Sequence, residues 1–226
     1  MGVALPGVKR FLLLNPNTNT ITTAMMLDIA RDTVGEQATI QGVTASRGVP
    51  VITDEPMLVA AAAEVARMVE LLAQNAFDDV LIAAFGDPGL DAARKCRTHA
   101  TGLAEAAIGT AAAGGRRFSI VTTTPALDGA LRRRVKAYGA KASFAGLRYT
   151  RSGPEGMADA ERLRDELFEA CTLSVRKDGV GAIIIGGGPL AAAARDLRGR
   201  VDAELIEPIP TAMRTMLARP VKKDIR

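Results

Sequence analysis

The chain has 226 residues, a formal net charge of +4 and an apolar fraction of 48%, which excludes a disordered chain and allows one large domain or two small lobes. Two cysteines and a single histidine are too few for a disulfide framework or a four-ligand zinc site. Aromatic residues make up only 4%, and no apolar stretch reaches the ~20 residues of a membrane-spanning helix. We therefore expect a cytoplasmic protein that binds no metal, nucleic acid or membrane.

Apolar runs alternate with amphipathic segments along the whole chain. The predicted strands are 8–14, 39–44, 79–85, 118–121, 143–148, 181–185 and 203–206. The predicted helices are 20–34, 55–75, 89–98, 102–113, 125–138, 159–177, 189–197 and 209–217. Strands that are apolar on both faces and alternate with helices are typical of parallel sheets. This order predicts an α/β protein.

The second half of the chain repeats features of the first. The run 11–14 followed by Asn-Pro-Asn-Thr corresponds to the run 118–121 followed by Thr-Thr-Thr-Pro, and residues 81–94 correspond to residues 184–195. The members of each pair lie about half a chain apart, which indicates an internal duplication. We predict two similar α/β lobes with parallel sheets, related by a pseudo-two-fold axis. Lobe 1 would comprise residues 1–101 with 206–226, and lobe 2 residues 102–205.

Four predicted strands end in polar or glycine-rich turns, at 15–18, 85–89, 122–125 and 186–189. Ligands of open parallel sheets bind beyond the carboxyl ends of the strands, so facing lobes would bring these turns to one cleft. Asparagine and threonine side chains with free amides at helix starts favour a carboxylate or a polarised cyclic imide over a cation. The predicted substrate-binding residues are Asn15, Asn17, Thr18, Thr44, Phe85, Thr122, Thr123, Gly186 and Gly188.

The same turns also have purely structural explanations. The segments 15–18 and 122–125 could be ordinary N-caps of the helices that follow. The segment 186–189 lacks the Gly-Lys-Ser/Thr of a phosphate-binding P-loop, which argues against a nucleotide.

Few residues in the chain can move a proton. Asp87 is the first candidate, although a position before proline is also typical of an N-cap, and Glu105 and His99 are weaker candidates. Cys171 lies on the apolar face of a predicted helix, and Cys96 lies two turns into another helix, away from the strand ends. We therefore interpret both thiols as structural.

Taken together, these turns resemble the hydantoin/allantoin racemase branch of the Asp/Glu racemase superfamily. The most specific segment is Phe-Gly-Asp-Pro-Gly-Leu at 85–90, followed by Asn-Pro-Asn-Thr at 15–18. The resemblance continues through 102–107, 118–123 and 181–186. It implies two Rossmann-like lobes, a site between them that needs no cofactor, a small carboxylate or cyclic amide as substrate, and often a homo-oligomer.

The resemblance also implies a pair of catalytic cysteines, one in each lobe, of which one removes the α-proton and the other delivers a proton to the opposite face. In this chain those positions are Ala84 and Gly187, and neither residue can exchange a proton. We therefore expect altered chemistry such as hydrolysis, decarboxylation or isomerisation, with a water held by Asn15 and Thr122 as nucleophile. Two alternatives stay open: an inactive binding or regulatory protein, and a racemase that uses other groups such as Asp87.

Overall fold

The computed structural model of the protein describes residues 8–72, 77–96 and 99–220, and it confirms the predicted α/β class. Within these ranges the strands are β1 (Lys9–Asn15), β2 (Ala38–Thr44), β3 (Asp79–Ile82), β4 (Ala100–Gly102), β5 (Phe118–Thr122), β6 (Phe144–Tyr149), β7 (Ala182–Ile185) and β8 (Glu204–Ile206). The helices are α1 (Thr20–Val34), α2 (Glu55–Leu71), α3 (Leu90–Cys96), α4 (Leu103–Ala111), α5 (Asp128–Ala137), α6 (Ala160–Asp178), α7 (Ala191–Asp196) and α8 (Pro208–Ala218). None of these helices is both long and apolar enough to cross a membrane.

The strands form two parallel sheets with the same internal order. The first sheet runs β2-β1-β3-β4 and the second runs β6-β5-β7-β8. Each strand of the first sheet therefore has a counterpart in the second, which confirms the prediction of two similar lobes. In register, Leu14 of β1 lies beside Ile82 of β3, and Val121 of β5 lies beside Ile185 of β7. The turns after the two central strands of each sheet therefore emerge side by side.

Both faces of the central strands are buried, and alternate residues pack on opposite sides. Leu13 of β1 belongs to a core cluster that also contains Ile120 and Ile184 of the second sheet. Its neighbour Leu14 packs on the other face with Val65 of α2. Side chains of a strand alternate between its faces, so a continuous leucine run serves two cores at once. One core is shared by the two sheets, and this fixes how their strand ends face each other.

The sequence did not predict strand β4. It is only three residues long, Ala-Thr-Gly, and it is defined by pairing with β3, in which Val80 lies beside Ala100. Three residues are too few for a hydrophobic period to show. The strand predicted over 79–85 is also too long, because β3 ends at Ile82 and the following residues turn away from the sheet. The predicted helix ends at 75 and 98 lie outside the described residues.

The last helix returns to the first sheet. Helix α8 packs against α1 and α4. The ammonium group of Lys9 donates to the carbonyl of Met216 at 3.2 Å and also contacts the carbonyls of Leu217 and Arg219. A cation is favourable at the carbonyl end of a helix. The beginning of β1 and the end of α8 are therefore in direct contact.

Candidate active site

A cavity lies between the carboxyl ends of the two sheets. It holds about 600 Å³ of empty space, part of it open to solvent. The first sheet contributes the turns at Asn17 and at 83–85, and the second contributes the turns 122–124 and 186–190. The two walls touch, because a Cβ built on Gly186 would lie 2.7 Å from the ring of Phe85. Only glycine fits at position 186 without displacing that ring.

Most of the predicted binding residues meet in this cavity. The ones that line it, together with the two positions of the expected thiols, are Asn17, Ala84, Phe85, Thr122, Thr123, Gly186, Gly187 and Gly188. Asn15, Thr18 and Thr44 are not part of the lining, and neither is Asp87. The four turns singled out in the sequence therefore converge, while some of their individual side chains have other partners.

Asn15 organises the first turn from beneath the cavity. It is fully buried, and its Nδ2 donates to Asn17 Oδ1 at 3.0 Å and to Thr23 Oγ1 at 2.9 Å. The hydroxyl of Thr44 completes this network, 2.7 Å from Thr23 Oγ1. Asn17 Oδ1 also accepts from the N–H of Asn19 at 3.0 Å. The oxygen of Asn17 is therefore occupied, and within the described ranges its Nδ2 has no acceptor, which leaves an N–H donor at the cavity wall.

The wall from the second sheet is also rich in hydrogen-bond donors. The hydroxyls of Thr122 and Thr124 lie 3.2 Å apart, and both residues are buried. The hydroxyl of Thr123 is 3.6 Å from the sulfur of Met157. The backbone N–H groups of several turn residues have no acceptor among the residues that the structure describes: Thr123, Thr124, Gly187 and Gly188. Such a wall suits carbonyl or carboxylate oxygens.

Asp87 caps a helix instead of facing the cavity. It is fully buried, and its carboxylate accepts from the backbone N–H groups of Ala104 and Glu105, each at 2.8 Å. The hydroxyl of Tyr138 donates to the same carboxylate at 2.7 Å. Burial raises the pKa of Asp87 to about 6, although all three hydrogen bonds act in the opposite direction. The helix that Asp87 caps is therefore α4, not the helix immediately after the Phe-Gly-Asp-Pro segment.

The other candidate groups lie away from the cavity. The carboxylate of Glu105 forms an ion pair with Arg94 at 2.6 Å. His99 precedes β4, at the edge of the sheet opposite to the binding turns. Cys96 is exposed at the end of α3, whereas Cys171 is fully buried in α6 and burial raises its pKa to about 12. No ionisable side chain is present in the cavity lining within the described ranges.

Sequence reasoning missed the apolar part of the lining. Leu127 lies immediately before α5 and Leu131 lies in its first turn, and their four-residue spacing after the threonine turn is a signal that could have been used. Val51 and Ile52 come from the segment between β2 and α2, and Met157 comes from the turn before α6. These last three lie in connecting segments without periodicity, so only the folded chain brings them to the cavity.

The sequence profile of the Asp/Glu/hydantoin racemase family matches residues 12–216 of the chain. The chain belongs to this family. It is 30% identical over 210 residues to a hydantoin racemase of Paenarthrobacter aurescens, which covers 91% of this chain and 88% of that protein. The allantoin racemase from Klebsiella pneumoniae superposes with a TM-score of 0.86 at 29% identity, covering 96% of each chain. Unliganded arylmalonate decarboxylase shares the fold alone, with a TM-score of 0.62 at 16% identity over 95% of each chain.

Ala84 and Gly187, which stand where the family resemblance implies catalytic thiols, differ in backbone conformation. Ala84 has a Cβ at the cavity wall and an ordinary conformation, whereas Gly187 has a φ of 151°, which L-amino acids rarely adopt. A Cβ built on Gly187 would also lie 3.2 Å from Cγ and Cδ1 of Leu190. A side chain can therefore be lengthened at position 84, while position 187 accepts one only if Leu190 and the local backbone move.

Proposed function

We propose that this racemase-family protein binds a small cyclic amide or small carboxylate in the cavity and does not exchange its α-proton through thiols. One observation carries the proposal: among the described residues, the cavity lining holds hydrogen-bond donors from both sheets but no ionisable side chain. Racemisation requires a base to remove the α-proton and an acid to return it. Threonine hydroxyls, an asparagine amide and backbone N–H groups hold oxygen atoms in place but do not supply such a pair at neutral pH.

The walls of the cavity define the chemistry of the ligand. The donors of Asn17 and of the turn 122–124 suit the carbonyl oxygens of a hydantoin-like ring. The lining also has apolar side chains, including Ile52, Leu127 and Leu131, which suit an apolar substituent on that ring. Burying a second charge without a cation nearby is costly, so we expect neutral or singly charged ligands to bind better than dicarboxylates.

A second candidate is hydrolysis of the ring by a bound water. The hydroxyls of Thr122 and Thr124, 3.2 Å apart at the cavity wall, offer two neighbouring groups that can hold one water. The sequence suggested Asn15 as a second residue that holds this water. Its Nδ2 instead donates to Asn17 and Thr23, so Asn15 is not part of this proposal. The expected homo-oligomer, the absence of a cofactor and the cytoplasmic location stay predictions.

The proposal is tested by binding and exchange on the same samples. Enantiopure 5-isobutylhydantoin, allantoin and aspartate are titrated by calorimetry, and each is then incubated with the protein in D₂O and followed by NMR and chiral chromatography. We expect the isobutyl compound to bind best, with no α-deuterium uptake above the buffer control. Failure of all three to bind would contradict the proposal. Deuterium uptake with loss of optical activity would show a racemase whose acid and base are not thiols. A ring-opened product without uptake would show hydrolysis.

A matched pair of variants locates the binding site. Thr122→Val removes a hydroxyl from the cavity wall while keeping the shape of the side chain, and we expect about tenfold weaker binding. Thr215→Val is the control, since the hydroxyl of Thr215 donates to the carbonyl of Thr211 within α8 at 3.0 Å. Equal affinities of the two variants would place the ligand elsewhere.

A further inference from the structure

Helix α5 lines the cavity with one residue and hydrogen-bonds to the turn after β3 with another. Its first turn places Leu131 in the lining, next to the threonine turn of the second sheet. One turn later, the guanidinium group of Arg134 contacts the first sheet: Nε donates to the carbonyl of Gly86 at 2.9 Å, and the terminal nitrogen donates to the carbonyl of Asp87 at 3.1 Å. Two carbonyls of the turn that follows β3 are therefore held by one side chain of the second lobe.

Tyr138 holds the same turn through a different group. It lies four residues after Arg134, on the same side of the helix, and its hydroxyl donates to the carboxylate of Asp87 at 2.7 Å. Asp87 has a φ of 51°, a left-handed conformation that is unfavourable for a residue with a side chain. Such a conformation persists only when the surroundings determine it. Here the carbonyl of Asp87 is held by Arg134 and its carboxylate by Tyr138 and the start of α4.

The position of the cavity wall depends on this turn. Phe85 immediately precedes Gly86, and its ring fills the space in front of Gly186 on the opposite wall. The ring is therefore limited by Gly186 on one side, while the backbone behind it is held by α5. A shift of the turn away from Arg134 would change the separation between Phe85 and the glycine turn, and with it the fit of any ligand between them.

We propose that Arg134 and Tyr138 are positioning residues, which hold the turn 85–87 at a fixed distance from the second sheet and so set the affinity of the cavity for its ligand. This proposal rests on the proposed ligand-binding function. Neither residue lines the cavity, so both would act through the turn and not by touching the ligand.

The chain supplies a matched control for each residue. Arg132 lies on the same helix, but its Nε donates to Asp128 one turn earlier, at 2.6 Å. Tyr149 is the second of the two tyrosines in the chain, and its hydroxyl donates to Asp128 at 2.5 Å, away from the turn 85–87. The test variants are Arg134→Met and Tyr138→Phe, and the controls are Arg132→Met and Tyr149→Phe.

Hydrogen–deuterium exchange of the ligand-free protein, followed by mass spectrometry, tests the contact itself. We expect peptides that contain the turn 85–90 to exchange about tenfold faster in Arg134→Met and Tyr138→Phe, and to be unchanged in both controls. Arg134→Lys, which can still donate to one carbonyl, should restore part of the protection. Unchanged exchange in the test variants, or an equal increase in the controls, would overturn the proposal.

Calorimetric titration of the same five variants with 5-isobutylhydantoin tests the consequence for binding. We expect the dissociation constant to rise about tenfold in Arg134→Met and Tyr138→Phe, and not in the controls. Wild-type affinity in variants whose turn exchanges faster would overturn the positioning role and leave the proposed function standing. A wild-type protein that binds none of the three test compounds (5-isobutylhydantoin, allantoin and aspartate) would overturn the proposed function and with it the role in affinity, while the exchange data would still decide whether the turn is held.

Discussion

The carboxylate of Asp87 occupies the space that a side chain at Gly102 would require. A Cβ built on Gly102 would lie 2.5 Å from the carboxyl carbon of Asp87. Gly102 is the N-cap residue of α4, so the capping carboxylate comes from the turn 85–90 and not from the N-cap residue itself. The glycine and the aspartate are therefore one structural unit, although they are far apart in the sequence.

We expect Gly102→Ala to lower the free energy of unfolding by about 1–3 kcal/mol, because the new methyl group overlaps the capping carboxylate. Gly109→Ala is the control on the same helix. A Cβ at Gly109 meets no atom within 4 Å, and alanine favours the helix, so we expect a gain of about 0.5–1 kcal/mol. Urea unfolding at one pH measures both changes. Similar effects of the two variants would contradict the steric account.

The buried carboxylate also predicts a specific dependence of stability on pH. Burial raises the pKa of Asp87 from 3.8 to about 6, so protonation of this group favours the folded state. Its contribution to stability is full below about pH 4 and is lost as the pH rises through 6, a change of about 3 kcal/mol at 1.4 kcal/mol per pKa unit. Asp87→Asn lacks this titration.

Urea unfolding of wild type and Asp87→Asn between pH 4 and pH 7 measures the effect as a difference. We expect the stability of wild type relative to the variant to fall by about 2–2.5 kcal/mol across that interval, since part of the change has already occurred at pH 4. A relative stability that rises with pH would mean that the three hydrogen bonds to the carboxylate outweigh its burial.

The two thiols should differ in reactivity, and neither should affect ligand binding. Cys96 is exposed, whereas Cys171 is fully buried and its pKa is raised to about 12. We expect iodoacetamide to label Cys96 in the folded protein and Cys171 only in denaturant, since the thiolate is the reactive form. Peptide mass spectrometry identifies the labelled residue. Loss of hydantoin binding on labelling of Cys96 would contradict our interpretation of this thiol as structural.

The two expected thiol positions should respond differently to cysteine. We expect Ala84→Cys to keep most of the stability, and Gly187→Cys to lose about 1–3 kcal/mol because of its left-handed backbone and the contact with Leu190. In the double variant Ala84→Cys/Gly187→Cys, replacing Leu190 by alanine as well should provide room for the second thiol. α-Deuterium uptake and chiral chromatography should show racemisation in this triple variant. Racemisation by a double variant with wild-type stability would contradict the steric argument.

Helix α1 shows how much local sequence can determine. Its predicted and observed bounds agree, because the side chain of Asn19 accepts from the N–H of Thr22 at the start and Gly35 has a positive φ at the end. The repeat of strand and turn likewise predicted which strand ends meet. The helix signal is carried by neighbouring residues, and the repeat by two short motifs that can be compared without knowing the fold.

Other features depend on contacts between distant segments and could not be predicted. Asn15 looked like a binding residue, but it is used to hold Asn17, and this follows only from the position of Thr23 and Thr44 around it. Asp87 looked like a cap for the nearest helix, whereas the start of α4 lies closer in space. A single sequence gives the residue types at a strand end, but not which of them face the ligand.

The contact between Lys9 and the end of α8 has a consequence for chain connectivity. Because β1 and α8 meet there, a short linker from Arg219 to Lys9 would join these two elements directly. New ends could then be opened at the exposed residues Gly114 and Gly115, between the strands of the two sheets. In such a circular permutant, α8 would lead directly into β1, and each half of the molecule would be encoded by one uninterrupted stretch of sequence.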